Sequence, residues 1–501
     1  MKVLFSFIAL LFVTSGIAQS KRPVDRDIFK KQIRESIAEL ADFVAIPNDA
    51  NNHADINLNI YWLTEKFIKR GFNTSVLPTS GENLFFAALP MKEDKETLLI
   101  YMHFDGQAVD KSKWDQEDPY KMVLKVPKDG GWKERDLEAL NENLNYDWRL
   151  YGRSTSDDKG PIVMLLNAID LLQEQKIDLA YNIKVLLDSE EEKSSAPLTA
   201  ALSTYGELFE ADYLIIGDGP MHASLNPTVV YGCRGITTMT LTTYGPKLAQ
   251  HSGHFGNYAP NPSYTLAHLL ASFKDTSGKV LIDGYYDGIQ IDANTSSILK
   301  AVPDKETDLL DRLVVQKSEK VGSYYQESLQ YPSLNIRGMA SAWVGDNART
   351  IVPATATAEL DLRLVVESDG TRLKKLVRQH IEKQGYHILN QDPTDEERKS
   401  YSNIVKVEEG GVMDAFRTDI NHPFGNHLVN LMKQTFEKEV VQIRTMGGTV
   451  PIAPFVNQMK LPAFILPTVN ADNNQHAPNE NLRIGQIDYG IRLFYALFSQ
   501  N

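Results

Sequence analysis

Four short apolar runs divide the chain, and they predict its main sheet. They cover residues 97–102, 183–187, 213–216 and 463–466. Continuous apolar runs of this length are typical of strands that are buried on both faces. Apolar residues at helical spacing predict helices over 27–44, 56–69 and 161–173, the last with Pro161 in its first turn. Strands that alternate with helices predict an α/β domain with a mainly parallel sheet.

The middle of the chain has a different pattern. Residues 237–243 and 358–366 alternate apolar and polar positions, which favours strands with one solvated face. Helices are predicted over 263–273 and 371–383. We therefore expect residues 231–412 to form a separate α+β domain, inserted between the two parts of the α/β domain, 19–230 and 413–501. The polar, Gly/Lys-rich residues 121–148 are expected to be a surface insertion.

The first residues have the pattern of a secretory signal peptide. Lys2 precedes an apolar run over 3–13, and small residues over 16–18 offer a cleavage site. The run is shorter than the ~20 residues that span a bilayer. We expect residues 1–18 to be removed, the mature chain to have no membrane attachment, and the protein to be secreted or periplasmic.

Composition narrows the possible partners. The 501 residues are enough for two or three domains, and 42% hydrophobic residues permit a large core. The net charge is −13 and no Lys/Arg-rich block occurs, which argues against a nucleic acid as partner. Cys233 is the only cysteine, so an intramolecular disulfide is impossible, and we interpret this thiol as structural.

Each of the four apolar runs is followed closely by potential metal ligands. Another acidic pair stands in the Gly/Ser-rich loop before the predicted 161–173 helix. Alone, each has an ordinary explanation as a surface pair, a solvated loop or a helix cap. Ligands collect at the carboxyl ends of strands in α/β sheets, and histidine with carboxylate is the usual ligand set of catalytic zinc. The joint placement predicts a metal site among His103, Asp105, the acidic residues 188–192, Asp218, His476 and the pair Asp157 and Asp158.

Motifs in this order along the chain resemble those of a family of di-zinc exopeptidases. The family includes carnosinase-type dipeptidases, glutamate carboxypeptidase, aminoacylase and succinyl-diaminopimelate desuccinylase, and the carnosinase-like branch is the most similar. The resemblance implies a zinc-exopeptidase-like catalytic domain with an inserted ferredoxin-like lid and dimerisation domain. The matching stretches are YMHFD at 101–105, LYGRSTSDDKG at 150–160, DSEEEKSS at 188–195, HSGHFG at 251–256, GGT at 447–449 and HAPNE at 476–480.

The resemblance also implies roles at the metal site. Two Zn²⁺ ions per subunit are expected, with Mn²⁺ or Co²⁺ as alternatives. His103 and Asp218 would bind one ion, and Glu192 and His476 the other. Asp157 would bridge both ions. In the family, the peptide bond that follows this aspartate is typically cis. Glu191 would be the general base, although the adjacent Glu190 and Glu192 leave open which glutamate of this run has that role. Asp105 would orient His103.

Further residues are implied for the lid domain and the substrate. His251 would stabilise the oxyanion of the partner subunit in a homodimer formed through the lid, although His254 lies in the same motif. Arg363 and Thr350 would contact the substrate, and Arg363 suits its carboxylate. Thr449 would make another substrate contact.

We therefore expect a metallopeptidase that acts on dipeptides or short peptides, as a dipeptidase or carboxypeptidase. Two alternatives stay open at this point. An N-acyl-amino-acid amidohydrolase would use the same metals and base with a different pocket. An inactive zinc- or peptide-binding protein is the alternative outside enzymes, and the full set of ligand positions together with Glu191 argues against it.

Overall fold

A computed structural model describes residues 26–499, and the predicted signal peptide, residues 1–18, lies outside this range. Within the described range, no helix has both the length and the apolar character needed to cross a bilayer.

A mixed sheet of eight strands, the large sheet, is the centre of the structure. The four predicted strands are adjacent in its middle and run parallel to one another. The sheet is antiparallel where the first two strands join it and between Ala463–Ile465 and Thr228–Val230. The α/β class is therefore confirmed. In sheet order the strands are Asn73–Leu77, Leu84–Ala88, Asn182–Asp188, Thr97–His103, Tyr213–Ile216, Ala463–Ile465, Thr228–Val230 and Val441–Ile443.

Helices cover both faces of the large sheet and bury its apolar residues. Lys159–Glu174 is buried along almost all of its length, because it packs between the sheet and two further helices. The helices on this face are Arg26–Val44, His53–Lys69, Lys159–Glu174, Pro423–Phe436 and Ile484–Ser499. The opposite face is covered by Ala196–Phe209 and Ala453–Met459.

A second sheet, the inserted sheet, has five strands and its own core. In sheet order they are Ser333–Ala340, Thr355–Leu364, Gly235–Tyr244, Ile404–Met413 and His387–Leu389. Pro262–Ala271 and Gly370–Lys383 pack on one face, against the buried alternate residues of the central strands. The first four strands with these two helices have the ferredoxin-like order that the resemblance implied. Both predicted strands and both predicted helices of this region are present.

Residues 121–148, which were expected to be a surface insertion, form part of a small sheet. They contain the hairpin Val123–Lys128 and Gly131–Arg135, which joins Arg149–Tyr151 and Asn481–Arg483 in a four-stranded antiparallel sheet. The second hairpin strand is exposed throughout, whereas Leu124 is fully buried. The segment therefore lies at the surface along its second strand, while its first strand is anchored by buried Leu124. This small sheet also brings the loops after Tyr151 and before Asn481 side by side.

The remaining elements are short or lie within the connections. Gly232–Cys233 pairs with Phe416–Arg417 where the chain enters and leaves the inserted sheet, and Gln250–His251 pairs with Ile351–Val352. Further helices are Ala139–Glu142, Ser252–Phe255, Ala293–Ala301, Glu306–Leu313, Tyr325–Ser328 and Asp395–Ser400. Single 3-10 turns are Lys111–Lys113, Glu191–Lys193 and Gly345–Asn347.

The burial of Cys233 gives a test of the packing at the junction of the two sheets. Burial raises the pKa of its thiol to about 12, so both access and thiolate formation are suppressed. We expect a thiol reagent at pH 8 to leave the native protein unmodified for hours and to modify one thiol per chain after unfolding. The Thr204→Cys variant, with an exposed helical position, should react within minutes as a control. Rapid labelling of native wild-type protein would contradict this packing.

Candidate metal centre and active site

The candidate site lies at the carboxyl ends of the central strands of the large sheet. His103 is the last residue of Thr97–His103 and pairs in register with Asp188, which ends the neighbouring strand. Asp218 follows Tyr213–Ile216 after one residue. Because these strands are adjacent and parallel, side chains from distant parts of the chain meet at one edge of the sheet.

Two groups of possible metal ligands occupy this edge. His103, Asp158 and Asp218 form the first, and Asp157, Glu192 and His476 form the second; within each group the ligand atoms lie within 4.8 Å of one another. The predicted ligands His103, Asp157, Glu192, Asp218 and His476 are all members. Asp158 is an additional member, which the sequence analysis placed at the predicted metal site without a ligand role of its own.

Asp157 connects the two groups. Its Oδ1 lies 2.8 Å from Nε2 of His103, and its Oδ2 lies 3.1 Å from Nε2 of His476. The same His476 nitrogen lies 3.2 Å from Oε2 of Glu192. The peptide bond between Asp157 and Asp158 is cis. One carboxylate thus faces a histidine of each group, which is the position that a bridging ligand would need.

Asp105 organises the surroundings of this cluster. Its fully buried carboxylate accepts hydrogen bonds from the backbone N–H groups of Glu191 and Glu192, both at 3.1 Å. Its Oδ1 also lies 3.4 Å from Nδ1 of His103. A single carboxylate therefore orients a histidine of one group and fixes the turn that carries the predicted base and a ligand of the other group.

The three consecutive glutamates have three different surroundings. Glu190 accepts a hydrogen bond from the N–H of Glu82 at 2.8 Å and pairs with Lys193 at 3.0 Å, so it is engaged outside the cluster. Glu192 belongs to the second ligand group and accepts a hydrogen bond from Nε2 of Gln107 at 2.7 Å. Glu191 lies beside the cluster but in neither group.

The surroundings of Glu191 raise the pKa of its carboxyl group. Burial raises its pKa well above the ordinary value, and the negative charges of Asp218 and Asp157 act in the same direction. A buried carboxyl with a raised pKa holds a proton more readily than a solvated one, which is the property required of a general base that later acts as an acid.

The donor atoms of the cluster fit divalent cations. Oδ1 of Asp158 is buried and has no hydrogen-bond partner among residues 26–499. Burial raises the pKa of Asp158, and that of Asp218 to about 6, and the negative charge of Asp157 acts in the same direction on both. Uncompensated buried charge is costly, and imidazole nitrogen with carboxylate oxygen is the donor set that catalytic zinc takes. The site therefore has both the charge and the ligands for a pair of such ions.

Glu480 is a functional residue that the sequence analysis missed. It is fully buried, and its carboxylate accepts hydrogen bonds from the backbone N–H groups of Ser154, Ser156 and Asp157 at 2.9–3.0 Å. It also pairs with Nη1 of Arg153 at 2.8 Å. Glu480 thus ties the loop of Asp157 to the loop of His476. Its place in the HAPNE motif was a signal, but the motif alone does not reveal this contact.

The other predicted residues are arranged in two places. Arg363 and Thr449 meet, because Nη1 of the arginine donates a hydrogen bond to the threonine Oγ1 at 2.7 Å. Thr350 lies next to His251: its carbonyl accepts the N–H of Ser252 at 3.0 Å. His251 is exposed and its Nδ1 accepts a hydrogen bond from the N–H of Gly253. Neither His251 nor Thr350 is a member of the two ligand groups.

Comparison with known proteins identifies the class. The profile of peptidase family M20/M25/M40 matches residues 99–500, so the chain belongs to this family and the resemblance read from its motifs is confirmed. The chain is a metallopeptidase, a hydrolase that acts on peptide bonds.

Two similar proteins and one solved structure illustrate the relationship. The chain is similar to the Cys-Gly metallodipeptidase DUG1 of Candida albicans, with 26% identity over 489 residues, which are 92% of this chain and 89% of the relative. It is 27% identical to the Beta-Ala-His dipeptidase of Mus musculus over 423 residues, 83% of this chain and 79% of the relative. The solved M20 family metallo-carboxypeptidase Sso-CP2 from Sulfolobus solfataricus superposes with a TM-score of 0.73 at 25% identity, covering 92% and 98% of the two chains.

The contacts of Glu480 lead to a prediction about metal affinity. The Glu480→Gln variant places an amide NH₂ where backbone N–H groups need an acceptor, so the Asp157 loop should lose its position. We expect metal affinity to fall about 10- to 100-fold, measured by titration of the metal-free protein. Asp472→Asn is the matched control, because Asp472 pairs with Arg149 in an exposed contact near the same loop. Unchanged metal affinity in Glu480→Gln would contradict this supporting role.

Proposed function

We propose that this metallopeptidase hydrolyses dipeptides or short peptides with a free C-terminal carboxylate, with Glu191 as general base. One observation carries the proposal: Glu191 is half-buried beside two ligand groups, belongs to neither, and has its backbone N–H held by the Asp105 carboxylate. The named activities of the two curated relatives, both dipeptidases, support the substrate class.

Two divalent cations, with Zn²⁺ preferred and Mn²⁺ or Co²⁺ as alternatives, would complete the proposed centre. His103 and Asp218 would hold one ion, Glu192 and His476 the other, and Asp157 both. When bound, such a pair lowers the pKa of a shared water and polarises the scissile carbonyl.

The protein residues supply the proton transfers and the orientation in this proposal. Glu191 accepts a proton from the attacking water at its carboxylate and then donates it to the leaving amine nitrogen. Asp105 keeps Glu191 in reach by holding its backbone N–H. A base that ligated metal would lose the lone pair needed for this step, so its position outside both groups matters.

The proposed carboxylate subsite is Arg363 with Thr449. The Arg363 guanidinium donates to the Thr449 hydroxyl and has no ion pair within the described part of the chain. A planar guanidinium without a carboxylate partner suits bidentate binding of a peptide C-terminus. Such a contact would restrict the enzyme to exopeptidase action.

The role of Glu191 can be tested with the neighbouring Glu190 as a control. We expect Glu191→Gln to keep its metal and to lose at least about 10²-fold in kcat on a free dipeptide, because the amide cannot accept the proton. Metal content and hydrolysis are measured on the same sample. Glu190→Gln is the matched control, since Glu190 is engaged with Glu82 and Lys193.

Undiminished hydrolysis by Glu191→Gln would reject this base. Hydrolysis of N-acyl amino acids without hydrolysis of dipeptides would instead favour the amidohydrolase alternative. Removal of metal by a chelator should abolish activity, and Zn²⁺ should restore it.

The proposed enzyme acts as a homodimer formed through the inserted sheet. Ser333–Ala340 is an edge strand of this sheet, and its Ile336 and Met339 are 44% and 54% exposed. Trp343 and Val344, which follow the strand, are also exposed. An unprotected edge with apolar side chains favours pairing with another chain. His251 is exposed and belongs to neither ligand group of its own subunit, and it would then act on the site of the partner subunit.

Mixing two inactive variants tests action across the dimer. We expect Glu191→Gln and His251→Ala to be inactive separately and to recover about a quarter of wild-type activity when mixed and allowed to exchange subunits. Half of the dimers would then be mixed, and each would contain one intact site. The readout is dipeptide hydrolysis before and after exchange. Absence of recovery despite demonstrated exchange would contradict a role of His251 in trans.

Secretion or periplasmic export is also part of the proposal, and it depends only on the N-terminal sequence pattern.

A further inference from the structure

Arg234 is a buried cation without a counterion. It lies between Gly232–Cys233 and Gly235–Tyr244, where the chain enters the inserted sheet, and it is only 7% exposed. Its Nη2 donates a hydrogen bond to the carbonyl of Tyr331 at 2.6 Å, whereas its Nε has no partner. Arg234 forms no ion pair within residues 26–499. A buried charge in this state is costly, so its retention requires a reason.

Other buried arginines of the chain are compensated by carboxylates. Arg70 pairs with Glu39 and Asp170, and Arg153 pairs with Glu480. The half-buried Arg417, in the strand that pairs with Gly232–Cys233, likewise pairs with a carboxylate, that of Glu367, at 2.6 Å. The contrast shows that this fold provides acidic partners for buried guanidinium groups and provides none for Arg234.

Arg234 is connected by hydrogen bonds to the two segments that carry the proposed carboxylate subsite. Its backbone N–H donates to the carbonyl of Met446 at 3.1 Å, just before the loop of Thr449. Thr449 in turn accepts the hydrogen bond from Arg363. On the other side, Arg363 pairs in register with Ser333, two residues after the carbonyl that Arg234 contacts.

The two guanidinium groups also influence each other. Burial and the positive charge of Arg363 together lower the pKa of Arg234 to about 10, while Asp361 acts in the opposite direction. Arg234 therefore remains charged at neutral pH and repels its neighbour. A carboxylate bound at Arg363 would relieve this repulsion and compensate both charges.

We propose that Arg234 is a second cation of the carboxylate subsite, a positioning residue that makes the enzyme prefer peptides with a free C-terminal carboxylate. Arg363 makes the direct contact, and Arg234 supplies positive potential from behind it. The inference rests on the proposed exopeptidase function and deepens it: the acidic terminus is recognised by a pair of arginines, one of which no motif indicated as a substrate residue.

The test compares a dipeptide with its C-terminal amide for wild type and Arg234→Met. We expect the variant to lose about 10- to 100-fold in kcat/KM on the free acid, through KM, and less than about threefold on the amide. Arg234→Lys keeps the charge and should keep most of the preference. Arg417→Met is the matched control, because it removes a compensated charge near the same junction and should leave the acid-to-amide ratio unchanged.

A stability measurement separates this role from a structural one. Removal of an uncompensated buried charge should leave the unfolding temperature of Arg234→Met equal to or above that of wild type. Equal losses on acid and amide, an unchanged preference, or a strongly lowered unfolding temperature would each overturn the role of Arg234. A wild-type enzyme without preference for the acid would instead contradict the proposed exopeptidase function.

Discussion

The structure depends on holding several carboxylates close together in a buried place. Asp157, Asp158 and Glu191 lie with two further acidic side chains at one edge of the large sheet, and burial raises the pKa of most of them. Their repulsion opposes folding unless cations compensate it. The neighbouring histidines and the Asp158 oxygen without a hydrogen-bond partner supply the remaining donors. Cations bound at this edge would therefore also stabilise its fold.

The fold meets this constraint with carboxylates that hold backbone rather than metal. Asp105 fixes the turn of Glu191 and Glu192, and Glu480 fixes the loop of Asp157. The small four-stranded sheet brings the loops of Asp157 and His476 together. The inserted sheet contributes the opposite charge, because among residues 26–499 no carboxylate forms an ion pair with Arg234 or Arg363. Negative charge therefore collects where cations would bind, and positive charge where a peptide carboxylate would bind.

The sequence was most informative where side chains are uniformly buried. The central strands were predicted because both faces are covered, which leaves continuous apolar runs. Asn73–Leu77 was missed because Leu77 alone in it is buried, and the hairpin strand Gly131–Arg135 because all of it is exposed. Ligand candidates were found because they follow those strands and lie in motifs. The support by Glu480 could not be predicted, since hydrogen bonds to backbone N–H groups leave no side-chain pattern.

The central claim is that Asp157 serves two metal positions at once. Calorimetric titration of the metal-free protein with Zn²⁺ tests it most directly, when wild type is compared with Asp157→Ala. The account predicts two ions per chain for wild type and weakened binding of both in the variant, because each group contains a histidine in contact with Asp157. A variant that still binds one ion with wild-type affinity, or a wild-type chain that binds fewer than two, would contradict it.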